Sequence, residues 1–173
     1  APIFLGGFHS TLNPDIIVEL KNIDGVCVGE GEEAFLELVE AIGEKKDIKN
    51  IKNFWIKEEG RVYKNYCRPL VENLDLLPFP DRSIFNYFKN EKTKKTPRFI
   101  FSRGCPFDCT YCCNHAIKKV YKDLGQYVRF RSVKTAIAEI KAELQKYNFS
   151  HFKLDDDTFS LNKNWLKEFC EAL

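Results

Sequence analysis

A group of closely spaced cysteines in the second half of the chain restricts its fold more than any other feature of the sequence. The stretch SRGCPFDCTYCCNH, residues 102–115, contains four of the seven cysteines of this 173-residue chain. Cys105, Cys109 and Cys112 follow the spacing C-x3-C-x2-C. A tight loop with this spacing can direct three thiolates towards one centre, and thiolates select zinc, copper(I) or iron–sulfur clusters. The pattern therefore predicts a loop that is organised around a metal centre.

These metal centres differ in the number of protein ligands that they require. A structural zinc site has four ligands, usually from two C-x2-C pairs in separate segments, and the sequence contains no second pair. Cys113 or His115 could complete a zinc site, although the adjacent Cys112 and Cys113 would point in different directions. A redox pair would explain only Cys109 and Cys112. Three thiolates suit a [4Fe–4S] cluster with one open iron, whereas ferredoxins close all four irons with cysteine. We favour such a cluster, with zinc as the alternative.

Composition and charge narrow the classes of protein to consider. Hydrophobic residues make up 44% of the chain and charged residues 30%, with a net charge of +2. This charge argues against a broad nucleic-acid-binding surface. The sequence has no apolar run of membrane-spanning length and does not open on a signal peptide. We expect a cytoplasmic protein with reduced thiols. Because the sequence begins with Ala1, contains no methionine and stops at Leu173 within an amphipathic pattern, we also expect it to be part of a longer protein.

Apolar runs and helical patterns alternate along the chain, which favours an α/β fold with parallel strands. We predict strands at residues 2–5, 25–28, 98–102 and 151–157, an extended stretch at 127–132, a hairpin turn at Glu59-Gly60 and an extended connector at 70–82. We predict helices that begin at Pro14, near Phe35, after the cysteine loop, at Ser132 and at Asn162 or Asn164. The basic residues 89–98 are predicted to form a solvated loop.

Two of the predicted helices have an apolar stripe. In the first, Gly43 is placed to end the helix, and the residues at helical spacing are Phe35, Leu38, Val39 and Ile42. In the second, the residues that share one face are Val133, Ile137, Ile140, Leu144 and Tyr147.

The segment CPFDCTYC resembles the C-x3-C-x-aromatic-C signature of the radical S-adenosylmethionine (SAM) enzymes. The resemblance implies that Cys105, Cys109 and Cys112 hold a [4Fe–4S] cluster, whose open iron binds the amino and carboxylate groups of SAM. An electron from the cluster then cleaves SAM to a 5′-deoxyadenosyl radical. The resemblance also implies that Tyr111 lies near the adenine and that Phe107 contributes to cofactor binding. A low-potential electron donor, such as flavodoxin or ferredoxin, is the implied protein partner.

A longer series of motifs resembles the radical SAM proteins that carry an N-terminal cobalamin-binding domain. In chain order the motifs are GGFHSTLNPD, DGVCVGEGEEAFLELVEAI, LDLLPFPDR, SRGCPFDCTYC, RFRSVKTAIAEI and LDDDTFSLN. The resemblance implies that residues 1–50 are the C-terminal part of a Rossmann-like cobalamin-binding domain and that residues 51–97 are a hairpin and linker. Residues 98–173 would be the first βα units of a partial (βα)6 TIM barrel, the radical SAM core.

Four further cofactor-binding residues are implied by this resemblance. Gly6 and Gly7 match a glycine pair that lets the backbone approach the nucleotide tail of cobalamin, because no side chain blocks the ligand. A simple strand-to-loop turn is the alternative. Asp156 and Asp157 lie at the end of a predicted strand, where carboxylates can hydrogen-bond the SAM amino group or the substrate. The alternative for the acidic run is helix capping.

Four other positions are weaker candidates. Glu30, in GEGEE, is a candidate for a domain interface or a cofactor pocket, or simply favours a helix N-terminus. His9 is predicted to be a loop histidine rather than a cobalamin ligand. For Arg129 and Arg131, surface salt bridges are at least as plausible as pairing with a cofactor carboxylate.

These observations together predict an enzyme that carries out radical SAM chemistry on a small-molecule substrate. Relatives of this kind include methyltransferases acting on unactivated carbon or phosphorus and anaerobic ring-forming enzymes of tetrapyrrole synthesis, so we expect cobalamin-dependent methyl transfer or a related carbon-centred reaction. Two alternatives stay open: a radical SAM enzyme without functional cobalamin, and a non-catalytic zinc-binding module. Cys27 and Cys67 are isolated and do not reproduce the additional cluster cysteines of RNA-modifying methylthiotransferases. We expect no turnover from these residues alone, because half a barrel cannot enclose a radical.

Overall fold

A four-stranded sheet organises the first of two units into which the chain divides. The computed structural model describes residues 1–85 and 96–173, and the first unit comprises residues 1–71 and 107–126. Its strands are β1 (Phe4–Leu5), β2 (Gly25–Cys27), β3 (Phe54–Glu58) and β4 (Arg61–Lys64), and its helices are α1 (Phe8–Leu12), α2 (Pro14–Val18), α3 (Glu32–Gly43) and α4 (Asn114–Val120). Helix α4, which follows the cysteines, packs against α1.

The sheet of the first unit is mixed, which corrects the expectation of a parallel sheet. Strand β1 pairs with β2 in parallel, but β3 pairs with both β2 and β4 in antiparallel fashion. The cause is the predicted hairpin, whose turn residues Glu59 and Gly60 have φ angles of 50° and 75°. Two consecutive positive φ angles match the twist of a two-residue hairpin. The hairpin thus extends the first sheet.

Helix α3 contacts the sheet through a different face from the one that the apolar spacing indicated. Ala34, Leu38 and Ala41 are buried and pack in one cluster with Phe54 and Ile56 of β3. Of the predicted stripe, only Leu38 is buried, whereas the exposed residues are Phe35, Val39 and Ile42. Small alanine side chains let a helix approach a sheet closely, and the sequence contained that signal at positions 34 and 41.

The second unit comprises residues 72–106 and 127–173. Its elements are β5 (Arg98–Phe99), β6 (Ser102–Arg103), β7 (Arg129–Phe130), α5 (Val133–Lys146), β8 (Lys153–Leu154) and α6 (Lys163–Ala172), and its connector contains two 3-10 turns, Leu74–Leu76 and Arg82–Phe85. The predicted strand at 98–102 is divided in two. Strand β5 pairs in parallel with β8, and β6 pairs antiparallel with β7. The predicted basic loop falls largely on residues 89–95, which lie outside the described residues.

Aromatic side chains form most of the core of the second unit. Phe99, Phe101 and Phe169 are almost completely buried, and Trp165 stacks on Phe169 with 5.0 Å between ring centroids. Trp165 is buried with its Nε1–H donating to the carbonyl oxygen of Arg131 at 2.7 Å, so the indole carries no unsatisfied donor.

Both helices of this unit begin at the type of cap that the sequence predicted. The Ser132 Oγ accepts a hydrogen bond from Thr135 N at 3.2 Å, and the Asn162 Oδ1 accepts one from Trp165 N at 3.0 Å. Asn162 rather than Asn164 therefore caps α6. Leu144 was wrongly assigned to the buried face of α5, because it is exposed while Glu143 is buried.

Buried ion pairs connect α5 to the preceding connector. Glu139 is 2% exposed, and its Oε1 accepts from Arg82 at 2.8 Å while its Oε2 lies 3.5 Å from Arg131 Nη1. Arg131 also donates to the carbonyl oxygens of Leu77 and Pro78, both at 3.2 Å. Arg129 and Arg131 are both buried, so of the two alternatives left open for them the surface salt bridge is excluded.

Helices of membrane-spanning length and apolarity do not occur within residues 1–85 and 96–173.

Candidate functional site

The chain enters the cysteine loop through a turn that only glycine fits well. Gly104 directly precedes Cys105 and has a φ of +81°, in the region that side chains other than glycine rarely adopt. A Cβ atom at this position would lie 2.4 Å from the carbonyl oxygen of Tyr127. Because the clashing atom belongs to the backbone, no side-chain rotation can relieve the contact. The position of Cys105 therefore depends on the absence of a side chain at residue 104.

Replacing Gly104 with alanine is expected to destabilise the second unit through both strain and a steric clash. The matched control is Gly60→Ala, because Gly60 has a φ of +75° but no atom within 4 Å of the added Cβ. Left-handed strain alone costs about 1–2 kcal/mol, so the control reports strain without the clash. In urea unfolding, Gly104→Ala should lose at least about 1 kcal/mol more than Gly60→Ala. Equal losses would show that the Tyr127 carbonyl is not a barrier.

The four cysteines of the loop are free thiols in different environments. Cys105 and Cys112 are half-buried, whereas Cys109 and Cys113 are exposed. The backbone N–H of Cys112 donates to the carbonyl oxygen of Cys109 at 3.1 Å, which forms a tight turn. Across residues 1–85 and 96–173, the structure brings no three His, Cys, Asp or Glu side chains close enough together to hold a metal ion. The three predicted ligands are therefore placed on one loop without being assembled around a centre.

The chemistry of the donor set nevertheless fits an iron–sulfur cluster. The Thr158 hydroxyl lies 3.2 Å from Cys105 Sγ, and the Asn114 amide nitrogen lies 3.6 Å from Cys112 Sγ. Hydrogen-bond donors around the sulfur atoms are the kind of environment that stabilises thiolate ligands and sets cluster potential. Thr158 was not among the predicted site residues, because no local pattern indicates a contact with a cysteine 53 residues earlier.

The two aromatic candidates present open surfaces. Tyr111 is 92% exposed and Phe107 is 55% exposed. The pKa of the Tyr111 hydroxyl is raised, chiefly by the charge of the neighbouring Cys109 thiolate. Both rings are therefore accessible to a flat apolar ligand, and Tyr111 lies beside one of the predicted cluster ligands.

Asp156 and Asp157 have different environments, although they are adjacent in the sequence. The Oδ1 of Asp156 accepts hydrogen bonds from Phe101 N at 2.9 Å and from both N and Oγ of Ser102 at 2.5 Å. Its Oδ2 is buried and has no hydrogen-bond partner among the described residues. Burial raises the pKa of this carboxyl, against the opposite effect of the bonds from Ser102 and Phe101. Asp157 is exposed. Asp156 thus links the loop that follows β8, residues 155–158 and called the acidic loop below, to the strand segment before Cys105.

The glycine pair near the N-terminus lies at the start of α1. Gly7 is the N-cap residue with a φ of +90°, and a Cβ added there would meet no atom within 4 Å. A Cβ on Gly6 would make only an ordinary contact with Cys27. The positive φ of Gly7 agrees with the strand-to-loop turn, which was the alternative interpretation of the glycine pair. The open space beside Gly7 is also compatible with a bound ligand.

The remaining candidates have partners within the first unit. His9 is exposed and its Nδ1 lies 3.4 Å from Asn13 Nδ2. The Oε2 of Glu30 accepts a hydrogen bond from Val71 N at 3.0 Å.

Burial raises the pKa of the Cys27 thiol to about 11 and also raises that of Cys67. Both thiols therefore stay protonated near neutral pH, unlike metal-bound thiolates.

Comparison with known proteins finds long but partial matches. No protein-family model matches the chain. Over 93% of its length, the chain is 34% identical to a protein of Pyrococcus horikoshii named as an uncharacterized methyltransferase, of which it covers 34%. Over 98% of its length, it is 30% identical to the anaerobic magnesium-protoporphyrin IX monomethyl ester cyclase of Rubrivivax gelatinosus, of which it covers 30%. The chain thus spans about a third of the length of these curated relatives.

A solved structure shares the fold over nearly the whole chain. The radical SAM methyltransferase TsrM from Kitasatospora setae, determined with cobalamin and a [4Fe–4S] cluster bound, matches 97% of the chain with a TM-score of 0.67 and 20% identity. The match covers 34% of that protein. At this level of identity the likeness establishes the mixed α/β fold. The methyltransferase and cyclase names of the sequence relatives agree with the family resemblance that the motifs indicated.

Proposed function

We propose that this chain, which resembles the cobalamin-dependent radical SAM enzymes, holds a [4Fe–4S] cluster that cleaves SAM to a 5′-deoxyadenosyl radical. The observation that carries the proposal is the spacing of Cys105, Cys109 and Cys112 in a loop entered directly from β6. Three free thiols leave one iron of a cube without a cysteine, as an iron that binds a small ligand requires. Methyltransferase and cyclase names among the relatives support assignment to an enzyme.

The residues around the loop have separate tasks in this proposal. Cys105, Cys109 and Cys112 would hold the cluster, which when bound supplies the electron that cleaves the sulfonium of SAM. Gly104 turns the chain into the loop. The exposed rings of Phe107 and Tyr111 offer apolar surfaces on which the adenine of SAM can pack.

The acidic residues after β8 complete the proposed SAM-binding region. Asp157 is exposed, and half-buried Asp156 has one carboxylate oxygen with no partner among the residues that the structure describes. A carboxylate in either position can pair with the ammonium group of SAM by a charge-assisted hydrogen bond. The other oxygen of Asp156 already accepts hydrogen bonds from the backbone, so this side chain is less able to adjust to a ligand. We therefore assign the main contact with the ammonium group to Asp157.

Cobalamin is the proposed second cofactor, with methyl transfer as its reaction. The open space at Gly7, beside Gly6, supports backbone approach to the nucleotide tail. In the methyl-transfer version, SAM would supply the radical that activates a small-molecule substrate, and cobalamin would supply the methyl group. The cyclase relative favours a second candidate, in which the same radical starts ring formation. A low-potential donor such as flavodoxin or ferredoxin would supply electrons, and a reducing cytoplasm would suit the free thiols.

Cluster reconstitution tests the proposal on the full chain. After anaerobic incubation with iron and sulfide, we expect about four irons and four sulfides per chain. Reduction should give a paramagnetic signal, and adding SAM should change that signal because SAM binds the open iron. Binding is the appropriate measurement, since we expect no turnover from these residues alone.

Two results would contradict the proposal. One tightly bound zinc per chain, with no iron uptake, would identify a zinc-binding module instead. A cluster whose spectrum is unchanged by saturating SAM would identify an iron–sulfur protein of another kind. Cobalamin is tested separately, by following its visible absorption spectrum when the protein is added.

A further inference from the structure

Thr158 lies in the acidic loop that faces the first cluster cysteine. We propose, on the basis of the proposed function, that the Thr158 hydroxyl donates a hydrogen bond to the Cys105 thiolate and thereby raises the reduction potential of the cluster. The Thr158 Oγ1 is 3.2 Å from Cys105 Sγ, and both residues are half-buried. Thr158 is thus a positioning and tuning residue that acts on the cluster through its ligand.

The direction of this hydrogen bond follows from the chemistry of ligation. Between a free thiol and a hydroxyl, either atom can donate. A cysteine that binds iron has lost its proton, so its sulfur can only accept. Once Cys105 is a ligand, the proton of the hydrogen bond must therefore come from Thr158.

Thr158 is held in place by contacts on both sides of it in the sequence. On the N-terminal side, Asp155 N donates to Phe99 O at 2.9 Å, and Asp156 accepts from Phe101 and Ser102. The aromatic ring of Phe159, on the other side, packs edge-on against Trp165 with 5.4 Å between centroids.

The same segment also fixes the cysteine that receives the hydrogen bond. Phe101 and Ser102, which bind Asp156, lie four and three residues before Cys105, respectively. Strand β6 is further paired with β7 through Ser102 and Arg103. The donor and the acceptor are therefore anchored to one framework, and the contact does not depend on a free side chain finding its partner.

A hydrogen bond at this sulfur affects the two oxidation states of a cluster unequally. Reduction adds negative charge that is shared between iron and sulfur, so a donor stabilises the reduced state more than the oxidised state. Removing the donor should make reduction harder. The effect is expected even if cluster assembly and SAM binding are unchanged.

The test compares Thr158→Val, which keeps the shape but removes the hydroxyl, with Thr158→Ser, which keeps the hydroxyl. Each full chain is reconstituted anaerobically with iron and sulfide, and the cluster is titrated with reductant while its spectrum is followed. At a fixed solution potential, Thr158→Val should lower the reduced-to-oxidised ratio about tenfold, which is about 59 mV for a one-electron couple. Thr158→Ser should stay within about twofold of the unmodified chain, or roughly 18 mV on the same scale.

Iron content separates the outcomes of this test. Equal iron content with a shifted potential only in Thr158→Val supports the proposal, because a purely structural role would not move the potential. Equal iron content with equal potentials in all three chains overturns it while leaving the proposed function intact. If the unmodified chain assembles no cluster, the proposed function itself fails and this inference fails with it.

Discussion

Replacing Glu139 with alanine should lower the free energy of unfolding of the second unit by about 3–5 kcal/mol, because it leaves buried Arg131 without its carboxylate partner and Arg82 with only the more distant Glu143, 3.9 Å away. Glu139 is 2% exposed and lies between Arg82 and Arg131. The Arg82 guanidinium also sits 4.6 Å from the centroid of the Phe99 ring, so it cannot turn towards water without leaving the core. The loss is a large share of the total stability of a small domain. Urea unfolding followed by tryptophan fluorescence would measure it, with Trp165 reporting on the second unit and Trp55 on the first.

The matched control is Glu171→Ala, on helix α6 of the same unit. Glu171 pairs with Lys167 at 3.9 Å, and both side chains are mostly exposed. Such a surface pair contributes little, and its loss should change stability by less than about 0.5 kcal/mol. Glu139→Gln, which keeps hydrogen-bonding capacity, should fall between the two. A Glu139→Ala loss no larger than that of the control would contradict the assignment of a buried ion-pair network.

Cys112→Ala should abolish cluster assembly, whereas Cys113→Ala should preserve it. The two cysteines are adjacent and of the same type, so this comparison isolates ligand position from thiol content. Cys112 is half-buried with the Asn114 amide near its sulfur, and Cys113 is exposed. After anaerobic reconstitution, iron should fall from about four per chain to near zero in Cys112→Ala and stay at about four in Cys113→Ala.

A second control shows whether iron is lost because any thiol has been removed or because the chain has unfolded. Cys170 is exposed on α6, and Cys170→Ala should assemble a full cluster. Far-ultraviolet circular dichroism should match in all three variants. Retention of iron by Cys112→Ala together with its loss in Cys113→Ala would move the third ligand to position 113.

Local sequence signals predicted the parts of this structure that depend on neighbouring residues. The Ser132 and Asn162 caps and the Glu59-Gly60 turn all form where the residue types required them. The cysteine spacing likewise marked the candidate metal loop without help from tertiary structure. Each of these features depends on hydrogen bonds or dihedral angles within a few residues, so the sequence contains the needed information.

Features that depend on distant contacts were missed. Glu139 and Glu143 are polar residues that hydrophobic periodicity assigns to the surface of α5, yet both are buried. Their burial depends on Arg82, which lies 57 residues before Glu139 and has no periodic relation to it. The contact of Thr158 with Cys105 has the same character. Helix α3 has two apolar faces. The face that packs on the sheet is the one whose small alanine residues let the helix approach closely.

The change of partner within residues 98–103 has a consequence for the metal loop. Phe99 pairs through β5, Ser102 pairs through β6, and Phe101 between them is buried while Ile100 is 58% exposed. A one-residue slip of this segment would put Ile100 in place of Phe101 in the aromatic core and would break both pairings together. The segment can therefore settle in only one alignment. Cys105 follows this segment at a fixed number of residues. Its position is therefore set by the register of the strands and does not require a bound metal.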